Sequence, residues 1–142
     1  AEAGLERSGL RHKIGTSRLP LAEFVPAPAQ GAMAITATDE DTLSRLRTKL
    51  DHPPTRVAVT VERTVLAELG GGCVAPLGVH ATVQGDTVSV RAQVLSTDGT
   101  EVVEDTRDLP VETHATAAAD FADDLAERGA ADLVEAAKDE TE

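Results

Sequence analysis

The chain has 142 residues and a formal net charge of −12, from 25 acidic and 13 basic side chains. This charge argues against a nucleic acid or an anionic membrane surface as the main partner, because like charges repel. The single cysteine excludes an internal disulfide and a multi-cysteine metal site, and it favours a reducing, cytoplasmic compartment. We expect no signal peptide and no membrane-spanning helix, because no apolar run is long enough.

The composition also bears on the salt requirement of the protein. Lysine occurs only three times and aromatic residues only twice, whereas alanine, threonine and acidic residues are frequent. An acidic, lysine-poor surface is typical of adaptation to high salt, where screening weakens the repulsion between like charges. The alternative is an ordinary acidic soluble protein.

The first predicted elements lie in the first fifty residues. Residues 1–14 have apolar positions at helical spacing, although two glycines weaken the pattern. Residues 23–37 are predicted to be extended because two prolines forbid a helix, with short strands at residues 24–25 and 32–35.

A second helix is predicted over residues 39–50, capped by Asp39 or Asp41. The sequence Asp-His-Pro-Pro that follows breaks this helix and marks the candidate domain boundary. We therefore predict one unit over residues 1–50 and another over residues 51–142. The four histidines are scattered without metal-ligand spacing, so we expect no metal site.

A third helix, over residues 55–69, leads into three glycines and the only cysteine. Gly70 predicts the helix end, because glycine accepts the left-handed conformation found there. Cys73 then lies on a short loop, where the negative end of the helix dipole disfavours a thiolate. A protease-type nucleophile is therefore not expected, and a small buried apolar role for Cys73 is the simplest alternative.

From Val79 onward the apolar period changes to two. Alternation over residues 79–83 and 88–94, separated by a turn, predicts two strands, and residues 102–109 form a charged edge strand. A helical pattern from 113 to 137, interrupted by Gly129, supplies a cover for the apolar face of the sheet. The predicted fold class is α+β, with a three-stranded antiparallel sheet covered by helices.

Three ordered segments resemble the hydroxymethylbilane synthase (porphobilinogen deaminase) family. The run ERTVLAELGGGCVAPLG at residues 62–78 resembles the cofactor-attachment loop of that family. AGLERSGL at residues 3–10 is similar to its Ala-Gly-Leu-x-Arg-x-Gly-Leu segment. VPAPAQGA at residues 25–32 resembles its interdomain hinge. We call residues 23–37 the hinge segment.

The resemblance implies that the chain is the C-terminal part of a longer enzyme. Residues 1–50 would be remnants of the second and first α/β domains, and residues 51–142 the cofactor-attachment domain. The family is a transferase of haem and tetrapyrrole biosynthesis that joins four porphobilinogens into linear hydroxymethylbilane with release of ammonia. In the family, a dipyrromethane cofactor starts the growing oligopyrrole and stays attached to the protein through a thioether. The resemblance assigns this thioether to Cys73.

The resemblance also implies roles for residues outside the cysteine loop. The cofactor would be contacted by Arg7, Gly4 and Gln30. The planar, always-charged guanidinium of Arg7 can bind a carboxylate through two parallel hydrogen bonds. The residues that support the loop would be Glu62, Arg63, Gly71 and Gly72. For Glu62 and Arg63, a purely structural salt-bridged or capping pair is as good an interpretation as direct catalysis.

Three positions of the hinge segment depart from the family pattern: Ala29 replaces a glycine, Pro28 is an added stiff residue, and Thr36 replaces a glutamate.

The family's catalytic Asp and most of its substrate-binding arginines belong to the missing N-terminal domain. The resemblance therefore implies that these 142 residues alone are inactive. The parent enzyme is expected to be a monomer. The competing hypothesis is a stand-alone binding or interaction domain, in which Cys73 is an inert core residue and Arg7 a surface charge. A cysteine hydrolase would need a nearby base, which the sequence does not supply.

Overall fold

The computed structural model describes residues 2–72 and 75–140 of the chain. Within these residues it has five α-helices, three β-strands and one short 3-10 helix. The helices are α1 Glu2–Arg7, α2 Glu40–Leu50, α3 Pro53–Glu68, α4 His114–Glu127 and α5 Ala130–Asp139; the 3-10 helix is Val111–Thr113. The strands are β1 Leu77–Gln84, β2 Thr87–Leu95 and β3 Val102–Pro110.

The three strands form an antiparallel meander in the order β1-β2-β3. Gly85 adopts φ 60° in the two-residue turn between β1 and β2, a conformation that favours glycine. Alternate residues of β2 are fully buried, and those between them are only partly covered. The predicted α+β class, the meander and the edge position of β3 are therefore confirmed.

The core lies between the apolar face of this sheet and the helices α3, α4 and α5. Every fourth residue of α3 faces it, as the sequence pattern predicts. Phe121 is fully buried at its centre, and Gly129, with φ 97°, separates α4 from α5 as expected. The fully buried aliphatic side chains of largest volume are Leu125, Val61, Val65, Val79, Val88, Val90, Val94 and Val134.

The two prolines after α2 have a different role from the one expected. We predicted that α3 starts at residue 55, but Pro53 and Pro54 occupy its first turn. Proline suits this position because its missing N–H would have no partner there and its φ is already helical. The predicted end of the second helix at residue 50 is nevertheless correct, since α2 ends at Leu50. Asp39 caps α2, accepting a hydrogen bond from the Thr42 N–H at 2.8 Å.

The predictions for the N-terminal third are partly wrong. The first helix covers only Glu2–Arg7, and residues 24–25 and 32–35 are not strands. Met33 is 85% exposed and Ile35 is 54% exposed. No side chain within residues 2–50 is buried. A strand requires a ladder of main-chain hydrogen bonds to its neighbour, and among the described residues the hinge segment forms only one such bond to a strand, from the Val79 N–H to Pro26 O.

The C-terminus of α3 ends in the glycine motif that the sequence predicts. Gly70 has φ 66°, its N–H donates to Ala67 O at 3.0 Å, and the Gly71 N–H donates to Leu66 O at 2.8 Å. These two bonds are those of a Schellman motif. A Cβ on Gly71 would lie 2.4 Å from Leu66 Cδ1 and 3.1 Å from Leu66 O, whereas a Cβ on Gly72 would meet open space.

Gly71 and Gly72 should therefore respond differently to substitution by alanine. We expect Gly71→Ala to lower the free energy of unfolding by about 1–3 kcal/mol, because Leu66 must shift. Gly72→Ala should leave it unchanged or raise it by up to about 1 kcal/mol, since alanine restricts the unfolded chain. Urea denaturation of both variants measures the difference. Equal losses in the two variants would contradict the steric explanation.

The turn between β2 and β3 is held by one carboxylate. Asp98 accepts hydrogen bonds from Ser96 Oγ at 2.7 Å, from the Thr100 N–H at 3.0 Å and from Thr100 Oγ1 at 2.8 Å. These donors favour the charged form and lower the pKa of Asp98 from 3.8 to about 2.

This shift predicts an acid-dependent contribution to stability. Because the pKa of Asp98 is lower in the folded state, its stabilising effect is complete above pH 3.8 and is lost as pH falls through about 2. We expect an NMR titration of the Asp98 carboxyl to have its midpoint near 2. Asp98→Asn should flatten the dependence of stability on pH in this range. A midpoint at the ordinary value would refute the assignment.

Candidate functional site

The predicted site residues lie on three segments of the structure. Gly4 and Arg7 belong to α1, and Gln30 lies in the hinge segment. Glu62 and Arg63 are on α3, and Gly71 and Gly72 follow its C-terminus. Cys73, the predicted attachment point of the cofactor, lies outside the described residues, as does Val74.

Glu62 is the one charged residue that is buried among the described residues, with 6% of its surface exposed. Its Oε1 accepts a hydrogen bond from the Ala81 N–H at 2.8 Å, and its Oε2 accepts one from the Ala29 N–H at 2.6 Å. His80 Nδ1 lies 3.7 Å from Oε1. A buried carboxylate must be satisfied by donors, and two main-chain N–H groups supply them here. We call these two hydrogen bonds the Glu62 bridge.

The hinge segment also contacts β1 through its backbone. The Val79 N–H donates to Pro26 O at 2.9 Å. A Cβ on Gly78 would lie 2.4 Å from Val25 O, so only glycine allows this close approach. The hinge segment thereby covers the free edge of β1.

Gln30 lies at a turn with unusual backbone geometry. Ala29 has φ 60° and Gly31 has φ 86°. The Gln30 N–H donates to Ala27 O at 3.1 Å and the Ala32 N–H to Ala29 O at 3.0 Å. A left-handed alanine costs roughly 1–2 kcal/mol, which gives a physical reason for the glycine expected from the family pattern at position 29.

Two neighbouring cavities lie between this turn and α3. Gln30 and Glu62 both line a cavity of about 230 Å³, together with His80 and Ala81. The second is a groove of about 580 Å³ between the hinge segment and α3. Its lining includes Met33, Ile35, Val59, Arg56 and Arg63. Gln30 and Glu62 therefore line one cavity, and Arg63 lines the groove beside it.

The two arginines of the groove differ in their partners. Arg56 forms an ion pair with Asp51, with Nε 3.1 Å from Oδ1. Arg63 is exposed, and no ion pair or hydrogen bond of its side chain is found within residues 2–72 and 75–140. Arg63 can therefore accept an anionic ligand without breaking a contact. Arg56 is not among the predicted site residues, although its spacing of seven residues from Arg63 on a helix places both on one face.

The structure does not join the α1 residues to this surface. No residue of α1 is buried, and a Cβ on Gly4 would meet open space. Arg7 ends the helix as an exposed residue without a carboxylate partner among the described residues.

A separate cavity of about 330 Å³ lies near α1, and its lining includes Glu2 and Arg18. Arg18 hydrogen-bonds Glu2 and lowers the pKa of that carboxyl.

The described residues form neither a metal-ligand cluster nor a membrane-spanning helix. No group of three or more His, Cys, Asp or Glu side chains there could hold a metal ion. None of the helices formed by the described residues is long and apolar enough to cross a membrane.

Comparison with known proteins gives matches to two domains of one family, in chain order. The dipyromethane cofactor binding domain of porphobilinogen deaminase matches residues 1–45. The C-terminal domain of porphobilinogen deaminase matches residues 56–128.

Individual relatives agree with these matches. A probable porphobilinogen deaminase from Halobacterium salinarum is 54% identical, over 99% of this chain and 36% of the relative. Porphobilinogen deaminases from Nitrobacter winogradskyi and Deinococcus radiodurans are 42% and 38% identical, over 90% and 98% of this chain. These matches cover 40% and 45% of the relatives, so the chain spans less than half their length. The chain belongs to the porphobilinogen deaminase family.

Proposed function

We propose that this chain is the C-terminal part of a transferase that joins four porphobilinogens into linear hydroxymethylbilane with release of ammonia. The observation that carries this proposal is the ordered match to both family domains along nearly the whole chain. The substrates are porphobilinogen and the growing oligopyrrole. The N-terminal part of the same protein is the partner that completes the active site.

The proposed cofactor is a dipyrromethane held by a thioether to Cys73. When bound, it supplies the pyrrole end to which the first porphobilinogen is joined. Cys73 follows the Schellman end of α3 directly in sequence, and the helix dipole at that end disfavours a thiolate. The few per cent of thiolate present at neutral pH suffices for a single attachment to a reactive methylene-pyrrolenine, whose nitrogen takes up a proton as the C–S bond forms, so no neighbouring base is required.

The groove beside α3 fits a ligand of this chemistry. A dipyrromethane has apolar ring faces and carboxylate side chains. The groove combines Met33, Ile35 and Val59 with the guanidinium of Arg63, which has no ion-pair partner among the residues that the structure describes. Gln30 offers amide donors at the adjoining cavity. In the proposed enzyme Gln30 and Arg63 orient the cofactor, and Arg7 binds a carboxylate of the oligopyrrole.

The domain division is also part of the proposal. Residues 51–142 hold every buried side chain that the structure describes, whereas residues 2–50 hold none. Phe24, Met33 and Ile35 are half or more exposed, although large apolar side chains of these types are most often buried. We propose that residues 1–50 belong to α/β domains completed by the N-terminal part of the protein, which would cover these side chains.

The attachment of the cofactor can be tested by the intact mass of the whole protein. We expect the wild type to carry an excess equal to two linked pyrrole units, and Cys73→Ser to lack both this excess and the activity. Serine is less nucleophilic than cysteine and nearly isosteric with it, so the fold should persist. Unmodified masses for both proteins, each well folded, would favour a binding or interaction domain with an inert Cys73.

The isolated 142-residue chain should be inactive. The proposed catalytic Asp and most of the carboxylate-binding arginines lie in the N-terminal part, which this chain lacks. We expect no consumption of porphobilinogen by the isolated chain, and turnover by the whole protein under the same conditions. Measurable turnover by the chain alone would contradict the assignment of the catalytic groups to the N-terminal part.

A further inference from the structure

Glu62 connects two segments of the chain that are distant from it in sequence. Its hydrogen bonds go to residues 33 and 19 positions away in sequence, in the hinge segment and in β1. It is also the neighbour of Val61 on a helix whose face packs on the sheet. A carboxylate at such a position is costly unless both oxygens are satisfied, and the Glu62 bridge satisfies both.

We infer that Glu62 is a positioning residue that fixes the hinge segment, and with it Gln30, against the C-terminal unit. This inference rests on the proposed function, since it assigns Glu62 a task in cofactor orientation. One side chain of α3 links the hinge backbone at Ala29 to the β1 backbone at Ala81. The same hinge turn lines both cavities beside α3.

The bridge requires a carboxylate and tolerates no amide in its place. Both partners are main-chain N–H groups, which can only donate, so each needs an acceptor. Glutamine has one acceptor oxygen, and its NH₂ group would face the second N–H. One main-chain donor would then be left without a partner in a largely buried place.

The strained turn increases the importance of the bridge. Ala29 adopts φ 60°, which alanine disfavours, and its N–H is held by Glu62 at 2.6 Å. Backbone strain persists only where surrounding contacts hold it. Loss of the bridge therefore allows the turn to relax and Gln30 to move away from the cavity that it shares with Glu62.

The test uses the whole protein with Glu62→Gln, and with Glu68→Gln as the matched control. Glu68 is exposed on the same helix and carries the same charge. Hydrogen–deuterium exchange of a peptide over residues 25–35 reports the hinge segment directly. We expect this exchange to rise at least tenfold in Glu62→Gln and to stay unchanged in Glu68→Gln, while exchange of β2 is unchanged in both.

The kinetic readout separates positioning from a general loss of stability. Measured well below the melting temperature, kcat of Glu62→Gln should fall by about 10- to 100-fold, because small displacements of orienting groups are costly. KM for porphobilinogen should change little, since the arginines that bind its carboxylates remain. Ala29→Gly accepts the same φ without strain and keeps the N–H donor, so the turn should stay in place and both hinge protection and kcat should be retained.

Several results would overturn the inference. These are unchanged hinge exchange in Glu62→Gln, a rise shared by all regions, or a rise with normal kcat. If Glu62→Gln does not fold, Glu62→Asp retains the charge but withdraws the carboxylate from one N–H, and the same readouts apply. Absence of turnover in the wild type would refute the proposed function alone, because hinge exchange reports the bridge without activity.

Discussion

The structure depends on the burial of one face of a three-stranded sheet. The central strand β2 buries Val88, Val90, Ala92 and Val94 on one side only, and its other side chains are half-covered. A single sheet with one apolar face must be covered by helices. This constraint places α3, α4 and α5 on the same side of the sheet, where Phe121 of α4 is fully buried.

The helix α3 connects this core to the candidate site. Its buried face includes Val57, Val61 and Val65, so its position is determined by packing on the sheet. Its C-terminal Schellman motif turns the chain at Gly70 and Gly71, and the same helix carries the buried Glu62 and the exposed Arg63. A rigid helix gives a site more precise geometry than a mobile loop does.

Charged side chains form few contacts inside this core, but two arginines form contacts at its border. Arg107 lies 5.0 Å from the centre of the Phe121 ring and 2.7 Å from Asp124. Arg128 donates to Glu104 O at 2.7 Å and pairs with Asp105 at 3.2 Å. These contacts connect β3 to α4 and the turn after it, and they neutralise acidic groups on an otherwise strongly acidic chain.

Local sequence patterns determined most of the fold of residues 51–140. The period of two identified the strands, the period near four identified the buried face of α3, and glycine positions identified the end of α3 and the break at Gly129. The ordered motifs also determined the family. These signals are local because each depends on side-chain periodicity or backbone conformation within a few residues.

Only the tertiary structure decided the role of Glu62 and the state of the hinge segment. The partners of Glu62 are two main-chain N–H groups distant in sequence, so no spacing in the chain indicates them. The left-handed Ala29 is likewise set by its surroundings and against its own preference. The predicted hinge strands did not form because a strand needs a ladder of hydrogen bonds, and the described residues give the hinge segment a single such bond to β1.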